Sequence, residues 1–225
     1  MAGLGLMNRR RAIQSSPSRY NPLEDVVFYS ELVGDGAAYI VVPDFYMQRW
    51  DSVEVEYSTN TQAAAFLFGS RWGNSITWLI SPNSGGIFYS NWFDANSTNE
   101  PMSMMSQAVF GENLVAKTNL AYSNVQNGLR RIYYQNGVAV LAVATGNESD
   151  EYTAPLYIFA SNQSSLSLVD SRILQGSILS FVVKDYYGNV KMDLKPCTYQ
   201  GEAGMWDSIS LQFFRNAGSG QFLVK

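Results

Sequence analysis

From residue 26 onward the chain repeats one pattern: a short run of β-branched, aromatic or aliphatic residues, then a cluster of Gly, Asn, Ser, Asp or Pro. That pattern reads as strands separated by turns, because branched and aromatic side chains fit a pleated surface and the turn residues supply the tight reversals. Residues 26–29, 38–42 and 52–57 form the first three runs. The third, Ser52-Val53-Glu54-Val55-Glu56-Tyr57, alternates so that one face is apolar and the other charged, as in an antiparallel sheet half exposed to water. Runs at 65–69, 76–80 and 86–89 follow, split by Gly73-Asn74 and Pro82-Asn83-Ser84-Gly85. Residues 114–122 and 130–134 come next, and Gln135-Asn136-Gly137 predicts a tight hairpin into 138–143, since Asn-Gly accepts the left-handed angles of such turns. Further runs lie at 156–160, 178–184 and 190–194, the last two joined by a turn at 185–189. Residues 91–113 break the rhythm with polar residues, a Pro and a Met cluster. They read as a long loop with one helical turn near Met104. A dozen or so strands with no sustained helical period predict an all-β, two-sheet jelly-roll sandwich over residues 26–225. No internal repeat is evident.

Composition removes several functional classes. His is absent and Cys occurs once, at Cys197. Zinc sites built on His and Cys, Ser-His-Asp and Cys-His nucleophiles, and an internal disulfide are all excluded. The formal charge of -4 conceals an asymmetry. Arg9, Arg10, Arg11 and Arg19 lie in the first 20 residues with no acid beside them, which leaves 11 basic against 19 acidic groups in the rest. An acidic body repels phosphate backbones, so nucleic-acid binding by the folded part is not expected. Residues 1–25 read as a flexible basic arm, either a disordered terminus or an anchor that orders on an acidic protein surface. The residues after Arg11 are Ala12, Ile13, Gln14, Ser15 and Ser16, which is not the apolar stretch of a secretory signal, and no window is long and apolar enough for a membrane helix.

The C-terminal residues carry a resemblance. Asp193-Leu194-Lys195-Pro196-Cys197, then Gly204-Met205-Trp206-Asp207, then Phe213-Phe214-Arg215-Asn216-Ala217-Gly218-Ser219-Gly220-Gln221-Phe222 resemble the closing signature of laminin-G-like, concanavalin A-like lectin domains. Such domains abound in surface proteins of gut bacteria and in virion proteins of the bacteriophages that infect them. Leu32-Val33-Gly34-Asp35-Gly36-Ala37-Ala38-Tyr39-Ile40 resembles the family's opening, with Val41-Val42 in place of its Asp-Thr, and Phe68-Gly69-Ser70-Arg71 resembles a family hairpin. The resemblance implies a two-sheet jelly roll over residues 26–225, but a fold alone implies no function. Members serve as sugar-binding modules, adhesion domains and phage head-fibre, decoration or tail-associated proteins; a glucanase branch hydrolyses polysaccharides.

The residues decide among these. A retaining glycosidase needs two carboxylates roughly 5 to 5.5 Å apart. The glucanase branch's Glu-x-Asp-x-x-Glu is missing, and Glu54 and Glu56, two apart on one face of a strand, read as the wet side of an amphipathic strand. No enzyme activity is therefore expected. Sugars offer apolar C–H faces to aromatic rings and hydroxyls to amides and carboxylates. The candidates are Trp72, Trp92, Phe93, Asp94, Asn96, Tyr186 and Tyr187, with Trp92 to Asn96 expected in one loop and Trp78 expected in the core. No cofactor is expected, although calcium at Asp35, Asp94 or Asn96 is conceivable from the residue types. With no export signal, the favoured expectation is a non-enzymatic virion-surface protein, head-fibre, decoration or tail-associated. It would assemble in the host cytoplasm on capsid or connector proteins as a homo-oligomer, dimer or trimer, and contact host surface glycans. The alternative is a carbohydrate-binding module or adhesin of a gut bacterium.

Overall fold

The computed structural model describes residues 22–48, 51–59, 65–69, 75–81, 87–93, 103–105, 111–123, 128–144, 155–161 and 171–225. A 3-10 turn at Pro22–Asp25 leads into β1 (Val26–Phe28), β2 (Leu32–Asp35), β3 (Ile40–Val42), β4 (Ser52–Thr59), β5 (Ala65–Gly69) and β6 (Ser75–Ser81). Then come β7 (Ile87–Phe93), β8 (Ser103–Met105), β9 (Gly111–Ser123), β10 (Gly128–Gln135), β11 (Val138–Ala144) and β12 (Leu156–Ile158). The chain finishes with β13 (Gln175–Lys184), β14 (Val190–Tyr199), β15 (Glu202–Asp207), β16 (Gln212–Arg215) and β17 (Phe222–Val224).

These strands make two sheets. One runs β11-β10-β9-β4-β13-β14-β15-β16, with β1, β2 and β17 attached, and the other runs β3-β12-β5-β6-β7-β8. The alternation read in residues 52–57 is realised in β4, where Val53, Val55 and Tyr57 are buried between the sheets. They join Ile40, Leu67, Phe68, Ile158, Phe159, Phe181, Val183 and Leu194 in one core, and Phe68 meets Phe181 edge to face at 5.2 Å. The predicted Asn-Gly hairpin is present between β10 and β11, with positive φ at both Asn136 and Gly137. Pro196 sits inside β14, which is otherwise an unfavourable place for a residue without an N–H. It is tolerated because β14 changes neighbour there, from β13 to β1.

Two corrections to the sequence reading fall between residues 91 and 113. Trp92 and Phe93 belong to β7, paired with Ile76 and Ser75 of β6. Met104 lies in β8 opposite Tyr89 and not in a helical turn. In both places the hydrogen-bonded ladder offered by a neighbouring strand overrides a polar, loop-like local composition.

Two crossings between the sheets define opposite ends of the sandwich. Residues 36–39 cross from β2 to β3 at the end where β13 begins, here called the root. The connection from β3 to β4 crosses at the other end, the rim, where β13 turns into β14. The chain enters through Pro22 at the root, because Val26 of β1 pairs with Tyr199 at the far end of β14 from the hairpin.

Candidate functional site

Two segments build the rim. The first is the β13–β14 turn, residues 185–189. Asp185 Oδ1 accepts the N–H groups of Tyr187 (2.9 Å) and Asn189 (2.8 Å), and Oδ2 accepts Asn189 Nδ2 (2.8 Å). Gly188 takes a φ of 86°, which a side chain would resist. These hydrogen bonds, led by that from the Asn189 side chain, hold the Asp185 carboxyl below its ordinary pKa. The turn is thereby fixed in a shape that presents Tyr186 and Tyr187, 63% and 85% exposed, with rings 5.4 Å apart and nearly perpendicular. With the rings nearly perpendicular, one exposed face on this fixed turn can stack on a flat apolar partner while the other ring flanks it, with little ordering cost.

The second segment is the crossing after β3. Asp51, only 1% exposed, accepts the Gln48 N–H at 2.8 Å and Lys191 Nζ at 2.6 Å on Oδ2. Lys191 also lies 5.5 Å from the Phe45 ring centroid. Asp51 and Phe45 thus tie the crossing to the base of the tyrosine turn, and Tyr46 is exposed beside them. Sequence reasoning did not single out Tyr46, Asp51 or Lys191. The spacing from 51 to 191 carries no local signal; only the pairing of β4 with β13 and β13 with β14 brings them together. A third turn, after β15, also lies at this end. Asp207 there accepts the N–H groups of Asp193, Ile209 and Ser210 and the Ser210 hydroxyl, leaving Ile209 and Leu211 exposed.

The register brings several sequence-derived candidates to this same end. β5 ends at Gly69 opposite Tyr157, β6 begins at Ser75 opposite Phe93, and Tyr157 pairs with Val41 just before the crossing. Trp92 and Phe93 therefore close β7 at the rim. Trp72, Asp94 and Asn96 lie outside the described residues, but the strand ends flanking them, Gly69, Ser75 and Phe93, are at the rim. Arg9, Arg10, Arg11 and Arg19 also lie outside the described residues.

Other candidates hold the fold together. Asp35 sits at the root, where its Oδ1 accepts the N–H groups of Ala37 (2.9 Å) and Ala38 (3.0 Å) and its Oδ2 that of Gln221 (2.8 Å). These bonds, Gln221's first, lower its pKa. Asn216 Oδ1 accepts the N–H groups of Tyr39 and Gly218, and its Nδ2 donates to the Gly220 carbonyl. A Cβ on Gly218 would strike the Ala37 carbonyl, and one on Gly220 the Asp35 carboxylate. The closing signature thus locks the C-terminal turn onto the root crossing. Glu54 and Glu56 lie on the half-exposed face of β4, and Lys117 pairs with Glu54 at 3.3 Å. Cys197 is buried, which pushes its thiol pKa up to about 12. Among the described residues no three His, Cys, Asp or Glu side chains converge as metal ligands, and no helix is long and apolar enough to cross a membrane.

No protein-family model matches the chain, and no curated protein matches it. Solved structures do resemble it. The native heptameric SAP-like pentraxin from Limulus polyphemus superposes with a TM-score of 0.54 at 10% identity, over 86% of this chain and 100% of that one. Domains LG4-5 of the mouse laminin alpha1 chain superpose with a TM-score of 0.53 at 14% identity, over 85% of this chain and 47% of that one. The Ruminococcus gnavus IT-sialidase CBM40 bound to alpha2,3 sialyllactose, at 0.44, is too loose a likeness to bear on the fold. At such identities the likeness is one of fold: the chain is an all-β, two-sheet sandwich with the jelly-roll fold of these neighbours.

Proposed function

We propose that this chain is a non-enzymatic, lectin-like binding module that presents its aromatic rim to glycans of a bacterial cell surface. The observation that carries this reading is the Tyr186–Tyr187 pair, exposed on a turn that Asp185 clamps, at the end opposite the point where the chain enters. Exposed aromatics on a preformed turn suit the C–H faces of sugar rings. The strand ends Gly69, Ser75 and Phe93, which flank the candidates Trp72, Asp94 and Asn96, lie at the same rim.

The carrier in this reading is a virion of a phage infecting gut bacteria, with the chain as head-fibre, decoration or tail-associated protein. Two features support it: the arm of Arg9, Arg10, Arg11 and Arg19 is basic, and it joins the sandwich at the root, away from the rim. The arm then docks on acidic capsid or connector surfaces. Undiminished incorporation into particles after deletion of residues 1–20 would remove that part of the reading.

The ligand reading is tested by binding of the purified chain to a panel of bacterial surface polysaccharides and whole cells, with and without a calcium chelator. Saturable binding that weakens at least about tenfold in Tyr187→Ala and in Trp92→Ala is expected, in line with the loss of an aromatic anchor. Absence of binding across the panel would leave the sandwich as a scaffold.

A further inference from the structure

Among the described residues, the exposed large apolar side chains gather at the two ends of the sandwich, Val138 apart. Tyr46, Tyr186, Tyr187, Val190, Ile209 and Leu211 belong to the rim. Leu23, Val27, Phe28 and Tyr29 lie on or beside β1, with Val27 and Phe28 at 55% and 50% exposure, and Leu223 is exposed on β17, opposite Val33 of β2. Hydrogen bonds from Tyr29 N to the Pro196 carbonyl (3.0 Å) and from Ser30 N to the Lys225 carbonyl (2.8 Å) hold this second group together.

β1 pairs with β14 and with no other described strand. An antiparallel ladder alternates the direction of its main-chain groups. Because Tyr29 bonds Pro196, the N–H and C=O groups of Val26 and Phe28 point to the open side. An open strand edge beside apolar side chains is a template for pairing with another extended segment. The charges around it select the partner. Glu24, Asp25 and Glu31 border the patch, with Lys225 near Glu31 at 3.8 Å. The residues before Pro22 carry four arginines and no acid, and join the chain at this very patch. Arg19 is three residues from Pro22, a main-chain reach of about 11 Å at most.

We propose that this patch is the contact between two copies of the chain, their β1 edges paired antiparallel about Val27, which sets Glu31 of each copy opposite Leu23 of the other, beside the point where the basic residues before Pro22 join. In that register Phe28 of one copy faces Val26 of its partner and Asp25 faces Tyr29, so apolar groups meet and no acid opposes an acid. The contact is isologous and closes at two copies. Both rims stay open, pointing away from the joined roots. The inference is independent of what the rim binds.

Sedimentation equilibrium of the full chain tests it. The expected mass is twice 25.0 kDa. Phe28→Asp and Val27→Asp, made separately, each raise the dimer dissociation constant at least about tenfold, as loss of an apolar contact at an interface centre does. Both leave the thermal midpoint of the dilute monomer unchanged. Arg19→Glu weakens the dimer, and raising the salt weakens the wild type, as for any screened ion pair. A monomer at about 0.1 mM, a concentration that would populate even a weak specific contact, overturns the proposal. So does a trimer or larger assembly, or a dimer indifferent to both apolar substitutions. An Arg19→Glu dimer as tight as wild type overturns the charge pairing.

Discussion

Replacing Lys191 by Met removes the ammonium 2.6 Å from Asp51 and leaves behind a carboxylate that is 1% exposed. The carboxylate keeps the Gln48 N–H at 2.8 Å but loses the cation 2.6 Å away, in a place water scarcely reaches. Breaking a buried pair in this way costs 3 to 5 kcal/mol in measured cases, and Lys191 is itself partly exposed, so a loss of about 3 kcal/mol is expected. For a chain of this length that is a fall of about 6 to 12 °C in Tm. Asp51→Asn leaves Lys191 free to turn toward water and costs less. The double variant Lys191→Met with Asp51→Asn recovers about 2 kcal/mol relative to the sum of the single losses, because the buried carboxylate that lost this cation is gone. The exposed pair Lys117–Glu54 is the contrast, and Lys117→Met costs less than about 1 kcal/mol. Urea unfolding followed by tryptophan fluorescence, with the slope unchanged across variants, measures all four. A loss below about 1 kcal/mol in Lys191→Met, or simple additivity in the double variant, would refute the claim that this pair fastens the crossing to the tyrosine turn.

Four shorter expectations follow from the same geometry. Gly218→Ala drives a methyl into the Ala37 carbonyl and costs about 2 to 3 kcal/mol, whereas Gly137→Ala meets open space and pays only for its positive φ, about 1 kcal/mol, both read by thermal unfolding. Cys197 stays unreactive toward a thiol reagent at pH 8 until denaturant is added; prompt labelling of the folded chain would contradict its burial. Tyr57 carries a buried hydroxyl without a hydrogen bond, so Tyr57→Phe gains about 1 kcal/mol, and a loss of stability would show that the hydroxyl has a partner. The hydrogen bonds to Asp35 lower its pKa in the folded state. Its contribution is therefore present above the ordinary aspartate range, about pH 4, and is lost as the pH falls through the lower folded value. Asp35→Ala flattens the acid limb of a stability profile measured from pH 6 to pH 2, and an unchanged limb would assign the acid loss to other groups.

The strands with strong local patterns were legible in the sequence: the alternation of 52–57 became the central strand β4, and Asn136-Gly137 became the tight hairpin. The closing run 204–222 was legible only as a resemblance. Asp207 caps a turn through near neighbours, but Asn216 with Gly218 and Gly220 locking the C-terminal turn to Asp35 and Tyr39 needs contacts across about 180 residues. β8 was invisible because Ser103-Met104-Met105 has no strand pattern of its own and is extended only by its pairing with β7. The rim is the same kind of case. Tyr186 and Tyr187 stood out as aromatics in a turn, but that their turn shares an end with Tyr46, Trp92 and Phe93 follows from register, which no short window encodes.

The rim is the end of the sandwich expected to meet a ligand. Hydrogen–deuterium exchange of the full chain, with and without saturating polysaccharide from a panel member that binds, tests this directly. The predicted footprint is slower exchange in peptides covering residues 43–48 and 185–191, with no change at 22–31 or 216–225. Protection confined to the root segments, with the tyrosine turn unaffected, would contradict it.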